Sequence, residues 1–459
     1  MNIATVITKA ETGSKTSLAR LLDLLRIPSI STDPVYAKDC SAAANWLVKE
    51  LSALGFTAKA HATPGRPMVV AHFIPKAATA QTPHALFYGH YDVQPVDPLE
   101  LWHSQPFEPE IRNAKLYGRG TSDDKGQLMT FVEAARAWIE AAGELPIKAT
   151  FLIEGEEESG SPSLVPFLKA HKAELACDIA FVCDTNMYDE KTPAITTRLR
   201  GLVHEEVEVT GPSLDLHSGL YGGPARNPIK ALSAMIAALH DKNGKVTIPG
   251  FYDGVAPLPK ATKKQWAALK FNEKKALIAI GLKTLAGEKG FTFLEQTWAR
   301  PTAEVNGLWG GYTGVGSKTV LPAKANAKFT FRLVGKQNPQ KILKAFQVFA
   351  KKHMPKDAKI TFSGKGGGAP ASEVAENNIF IRKTAAALKE EWGRDAVLMG
   401  SGGSIPIVRH FKDILGMDTV LVGFALNDDA IHSPNEKYNL TSFERGIKSW
   451  VRIMGALAD

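Results

Sequence analysis

The chain is short of cysteine. Cys40, Cys177 and Cys183 are the only three in 459 residues. They form no CxxC pair and no even-numbered disulfide framework, so the expected compartment is a reducing one. Long apolar runs are missing as well. Nothing approaches the ~20 residues of a membrane-spanning helix, and the opening MNIATVITKAETGSKTS lacks the apolar segment of a signal peptide. These absences predict a soluble, cytoplasmic chain with no membrane partner. There is no internal repeat and no long low-complexity tract. No GxSxG nucleophile elbow occurs. In GYTGVGSKT (311–319), Ser317 stands where a phosphate-binding loop needs lysine. The net charge is +8, but the lysines of 258–290 and 324–366 are mixed with Glu and Asp and have no interleaved aromatics. That pattern is a solvated surface and argues against a nucleic-acid partner.

What is present is a globular composition, 44% hydrophobic and 22% charged, long enough for two or three domains. A core of this size needs no disulfide or metal to fold, so any metal would serve function. Leu18, Leu21, Leu22 and Leu25 share one face of a helix over 15–27, which Pro28 ends. A second helix spans about 41–54. The short apolar runs 68–73, 85–89, 148–153 and 179–183 read as strands. A helix over 125–140 separates two of them, with Leu128, Phe131, Ala135 and Trp138 as its apolar side. Alternation of this kind predicts an α/β domain with a mixed, largely parallel, buried sheet and helices on both faces. After about residue 200 the texture changes. Residues 202–211 and 326–335 alternate apolar and polar, as strands of an antiparallel sheet with one wet face do. Helices are expected at 227–240 and within 260–290. Past the glycine-rich 364–372, a helix over 373–392 and the apolar runs 396–408 and 417–426 resume the first texture. The simplest organisation is one domain interrupted by an α+β insert.

Five stretches rich in His, Asp and Glu follow apolar runs: YGHYDVQP (88–95), GRGTSDDKG (118–126), EGEEESGS (154–161), VCDTNM (182–187) and AIHSPNEK (430–437). The carboxyl ends of strands are where α/β sheets bind ligands, so residues distant in sequence can meet there. Taken singly, Asp123-Asp124 is as readily a helix cap, His432 a loop residue, and the glutamate run a solvated face. Taken together, carboxylates crowded at strand ends repel unless a cation neutralises them. Imidazole and carboxylate without thiolate suit zinc, manganese or cobalt. Two histidines and three carboxylates can serve two ions if one carboxylate bridges.

With DLHSG (215–219) and GGSIPIV (402–408), these stretches resemble, in order along the chain, the M20 metallopeptidase family, and within it the cytosolic non-specific dipeptidases and carnosinase-like enzymes. The resemblance implies a discontinuous catalytic domain, 1–200 and 371–459, interrupted by a lid and dimerisation domain, 201–370. It implies two divalent ions, most often zinc, with manganese or cobalt in some members. His90 and Asp184 would hold one, Glu158 and His432 the other, and Asp123 would bridge them. Asp92 would steady an imidazole. Glu157 would be the general base acting on a metal-bridging water that cleaves the amide bond of a dipeptide or short peptide. Glu156 reads as a surface or supporting group and Glu154 as a local hydrogen-bonding partner. His217 would stabilise the oxyanion, reaching the other subunit of a homodimer through the lid. Arg332 would grip a substrate carboxylate, and the amides of Gly402, Gly403 and Ser404 would form an anion nest. The carnosinase-like branch commonly reads Arg-Glu-Gly-Gly-Ser where this chain has Gly400-Ser401-Gly402-Gly403-Ser404. The missing glutamate would help hold a free amino group, so an N-acyl amino-acid deacylase or desuccinylase with the same metal chemistry stays as the alternative.

Overall fold

A computed structural model of the chain describes residues 2–364, 368–403 and 405–459. The chain separates into two compact units. The first comprises Met1–Thr197, Val374–Met399 and Ile407–Asp459, and the second Arg198–Glu373 with Gly400–Pro406. The segment Gly400–Pro406 thus clusters with the insert, although the sequence division assigned all of 371–459 to the first domain.

In the first unit a mixed sheet runs in the order Thr57–His61, Met68–Phe73, Lys148–Glu154, His84–His90, Ile179–Val182, Thr419–Leu421, Ala194–Leu199. The four strands from Lys148–Glu154 to Thr419–Leu421 are mutually parallel, and the strands outside them pair antiparallel. Both faces are covered, which is why the central strands read as unbroken apolar runs. On one face Phe87, Phe151 and Phe181 meet Phe131 and Trp450, with ring centroids 5.4–5.8 Å apart for Phe87 and its neighbours. On the other, Tyr88 packs edge-on against Phe411, 5.9 Å away.

The helix Lys125–Ala142 carries more than the single apolar stripe expected of it. It is buried on nearly every side, between the sheet and the helices Leu440–Ala458, Ile3–Thr12 and Ser14–Leu25. Its polar groups are paired rather than solvated. Glu133 accepts from Ser17 Oγ (2.7 Å) and Arg20 Nε (2.8 Å). Lys125 Nζ donates to the carbonyls of Leu24 and Ile27, closing the end of Ser14–Leu25. Other boundaries also moved. The 15–27 helix stops at Leu25, and a separate helix, Ile3–Thr12, precedes it. The 373–392 helix begins at Ile379, capped by Asn378, because Ser372–Glu373 is extended.

The second unit has an antiparallel sheet in the order Thr302–Gly310, Lys324–Leu333, Gly201–Thr210, Lys359–Phe362. Its two long inner strands alternate buried and exposed residues along their whole length, so one face is wet. The helices Pro228–Ala237 and Pro339–Lys352 pack against the other face, where Val203, Val207, Phe329, Phe331, Leu232 and Phe346 form a core. Each helix starts with Asn then Pro. Asn227 accepts from Ile229 N and Asn338 from Lys341 N, and proline fills a position whose N–H needs no partner. Residues 260–290 hold only two short helices, Lys260–Ala268 and Glu273–Ala279. No helix among the described residues is long and apolar enough to cross a membrane.

Candidate metal centre

The parallel strands of the first unit deliver their carboxyl ends to one edge of the sheet. His90 is the last residue of its strand. Glu157 and Glu158 form a short turn just past Glu154, which ends the neighbouring strand. Asp184 follows Ile179–Val182 by two residues. His432 lies in the loop between Thr419–Leu421 and Lys437–Asn439, with a left-handed backbone (φ 63°) that is uncommon outside glycine. Asp123 sits two residues before the helix Lys125–Ala142, whose N-cap is Asp124.

These five side chains meet in two trios. His90, Asp123 and Asp184 form one, and Asp123, Glu158 and His432 the other, with the ligand atoms of each within 4.8 Å of one another. Asp123 belongs to both and uses a different oxygen for each. Its Oδ1 lies 3.1 Å from His90 Nε2, and its Oδ2 lies 2.9 Å from His432 Nε2. Asp184 Oδ2 is 3.9 Å from His90 Nε2, and Glu158 Oε2 is 3.2 Å from His432 Nε2.

The supporting contacts differ in detail from those expected. The backbone carbonyl of Asp92 accepts from His90 Nδ1 at 3.0 Å, which leaves Nε2 free to face the carboxylates. The Asp92 carboxylate is 3.4 Å from that ring nitrogen and accepts from the amides of Glu157 (3.3 Å) and Glu158 (3.0 Å). Asp92 thereby ties the glutamate turn to the histidine strand. Asp124 makes no helix-capping bond and instead accepts from His90 N at 3.0 Å. Gln94, in the YGHYDVQP stretch of His90, donates to Glu158 Oε2 at 2.7 Å. Of the two readings for Glu156, the surface one fails: it is buried, and it accepts from the amides of Arg66 (3.0 Å) and Ser163 (3.1 Å). Glu154 accepts from Tyr88 Oη at 2.6 Å.

The electrostatics follow from crowding in a buried place. Burial, and then the Asp123 charge, push the Asp184 carboxyl well above its ordinary range. Glu157 belongs to neither trio. Burial raises it to about 7, reinforced by Glu158, Asp123 and Asp92 against the opposing pull of His90. The hydrogen bond to Asp123 raises His432 to about 10. Asp123 lies below the usual carboxylate range, because its bonds to His432 and His90 outweigh burial. The carboxylates outnumber the imidazoles, and without a cation protons must make up the balance. The donor set, nitrogen and oxygen with no thiolate, fits two divalent cations. Glu158 Oε1 is buried with no hydrogen-bond partner, and coordination to a cation would satisfy it.

The remaining predicted residues belong to the second unit. His217 is exposed and caps the short helix Ser218–Tyr221, its Nδ1 accepting from Gly219 N at 3.0 Å. Arg332 is partly buried on Lys324–Leu333, opposite Leu202 and Thr302. Gly402 accepts through its carbonyl from Arg200 Nε at 3.3 Å. The Gly403 amide is taken up by Ser401 Oγ at 3.1 Å, so it is not free for an anion nest. Ser404 lies outside the described residues.

Comparison with known proteins places this geometry in a family. The profile of peptidase family M20/M25/M40 matches residues 86–456. The Cys-Gly metallodipeptidase DUG1 of Candida albicans is 31% identical over 451 residues, covering 94% of this chain and 92% of that protein. The human Beta-Ala-His dipeptidase is 30% identical over 370 residues, covering 79% of this chain and 72% of that protein. Among solved structures, the M20 family metallo-carboxypeptidase Sso-CP2 of Sulfolobus solfataricus is similar with a TM-score of 0.81 and 30% identity, covering 96% of this chain and 99% of that one.

Proposed function

The chain belongs to peptidase family M20/M25/M40 and is a metallopeptidase; on that premise we propose that it hydrolyses the amide bond of dipeptides or short peptides with two divalent cations, most simply zinc. The observation that carries this reading is the shared carboxylate of Asp123, with one oxygen turned to each trio. His90 and Asp184 would hold one cation, Glu158 and His432 the other, and Asp123 both. When bound, such ions polarise a carbonyl and acidify water.

The chain's own residues supply the rest. Glu157, which belongs to neither trio and lies next to the ligand Glu158, takes a proton from the attacking water and returns it to the leaving amine. Asp92 holds the Glu157 and Glu158 amides and fixes the turn that aims them. We assign His217, exposed at a helix start, to the oxyanion, contributed across a homodimer. Arg332 is assigned to the substrate carboxylate. The catalytic domain of this reading is 1–200 with 371–459, and the lid and dimerisation domain is 201–370. Three free cysteines suit the cytoplasm.

One observation keeps a second substrate class in play. Ser401 offers a hydroxyl, already engaged by Gly403 N, where a carboxylate would hold a substrate ammonium. An N-acyl amino-acid deacylase or desuccinylase needs no such group. Purified, zinc-loaded protein assayed side by side on Cys-Gly, β-Ala-His and other dipeptides, and on N-acetyl and N-succinyl amino acids, decides between them. Dipeptide turnover at least tenfold faster is expected, and turnover confined to N-acyl substrates would overturn the dipeptidase reading.

A further inference from the structure

The segment that carries His432 also carries Glu436, and Glu436 gathers the whole loop that carries Asp123. Its backbone carbonyl accepts from Gly118 N at 3.0 Å. Its Oε2 accepts from Arg119 Nη1 at 2.7 Å and Gly120 N at 3.0 Å. Its Oε1 accepts from Ser122 N at 2.9 Å and Asp123 N at 3.0 Å. Five donors from six consecutive residues therefore end on one residue more than 300 positions away in sequence. Both Glu436 and Arg119 are buried, with 0% and 1% exposure. A carboxylate so enclosed is tolerable only because each oxygen is doubly satisfied and a guanidinium faces it. A second link runs alongside. Ser122 Oγ donates to Asp429 Oδ2 at 2.7 Å, and Lys437 Nζ donates to Asp429 Oδ1 at 2.5 Å.

We propose that Glu436 is a positioning residue for the metal centre: by orienting the amides of Gly120, Ser122 and Asp123 it aims the two oxygens of Asp123 at the two trios, and it locks that loop to the one bearing His432. The proposal rests on Asp123 and His432 being metal ligands. The chemistry requires an anionic acceptor with two oxygens at this reach. Glutamine at position 436 would turn an NH2 group towards donors. Aspartate would keep the charge and lose a methylene of reach. Neither change touches a ligand atom. A plain brace would lower stability and leave the affinity of the folded site alone. A positioning residue sets the affinity itself, and groups that orient metal ligands typically contribute tenfold to a hundredfold.

The test measures Zn²⁺ affinity of the full-length, folded protein by competition with a chromophoric chelator, beside the melting temperature of the metal-free form. Glu436→Gln is expected to weaken both Zn²⁺ sites roughly tenfold to a hundredfold, and Glu436→Asp to weaken both by less. The remote core variant Ile453→Ala serves as a stability control and should keep wild-type affinity despite a lower melting temperature. Wild-type Zn²⁺ affinity in a folded Glu436→Asp or Glu436→Gln protein would overturn the proposal. So would an equal affinity loss in Ile453→Ala, since the effect would then be general destabilisation. Should Glu436→Gln not fold, the Glu436→Asp measurement decides alone. Asp123→Ala separates this idea from its premise: undiminished Zn²⁺ binding there sinks the ligand reading itself, whatever Glu436 does.

Discussion

Replacing Asp123 by alanine should disturb both metal sites at once, whereas replacing Asp184 should disturb one. Asp123 presents Oδ1 at 3.1 Å from His90 Nε2 and Oδ2 at 2.9 Å from His432 Nε2. Its removal leaves His90 with Asp184 at one site and Glu158 with His432 at the other, two protein ligands each. Asp184 approaches only the His90 trio. Groups that merely orient ligands contribute about tenfold to a hundredfold in metal affinity, and a ligand should contribute no less. Asp123→Ala is therefore expected to lose about a hundredfold or more at both sites. Asp184→Ala should lose that much at one site and change the other by well under tenfold. Dialysis against graded chelator, followed by elemental analysis per folded chain, reads the difference directly: wild type holds two ions, Asp184→Ala one, and Asp123→Ala neither at a chelator strength wild type withstands. Two ions retained by Asp123→Ala, or identical losses in the two variants, would refute the shared-ligand reasoning.

Other outcomes follow from particular contacts. Glu157→Gln should keep both ions while turnover falls by about 10²–10⁴; metal analysis beside kcat checks this, and near-normal turnover would remove Glu157 from the proton-transfer role. His217→Ala should lower kcat with little change in metal content, and mixing it with a Glu157→Gln subunit should restore part of the activity if His217 serves the partner's site. An absence of restoration argues against that arrangement. Trp450→Ala should destabilise the first unit by about 3–5 kcal/mol, because the ring is fully buried among Phe87, Phe131 and Phe181 and its Nε1 donates to Thr130 Oγ1 at 3.0 Å. Urea unfolding measures it, and a loss under 1 kcal/mol would contradict the packing described.

The parts of the fold that were legible are those with a local cause. Runs such as 148–153 sit in the sheet because both faces are covered, and 202–211 and 326–335 alternate because only one face is. Helix ends were less legible. Whether Ser372–Glu373 is extended or helical depends on pairing with strand residues far away in sequence. The burial of most of Lys125–Ala142 was hidden for a similar reason. Glu133 and Lys125 look like solvated charges until Ser17, Arg20 and the carbonyls of Leu24 and Ile27 are brought to them.

The candidate site divides along the same line. By itself the sequence determined which residue types are available: two histidines and a set of carboxylates, each beyond an apolar run. Their chemistry is local, so it can be read from a string of letters. Tertiary structure alone decided which of them meet. It turned the two oxygens of Asp123 apart, shared the Asp92 carboxylate between the imidazole and the amides of the glutamate turn, buried Glu156, and set Glu436 beneath the Asp123 loop. Those choices depend on distances between strand ends and loops hundreds of residues apart, and such distances are set by how the sheet is ordered and covered.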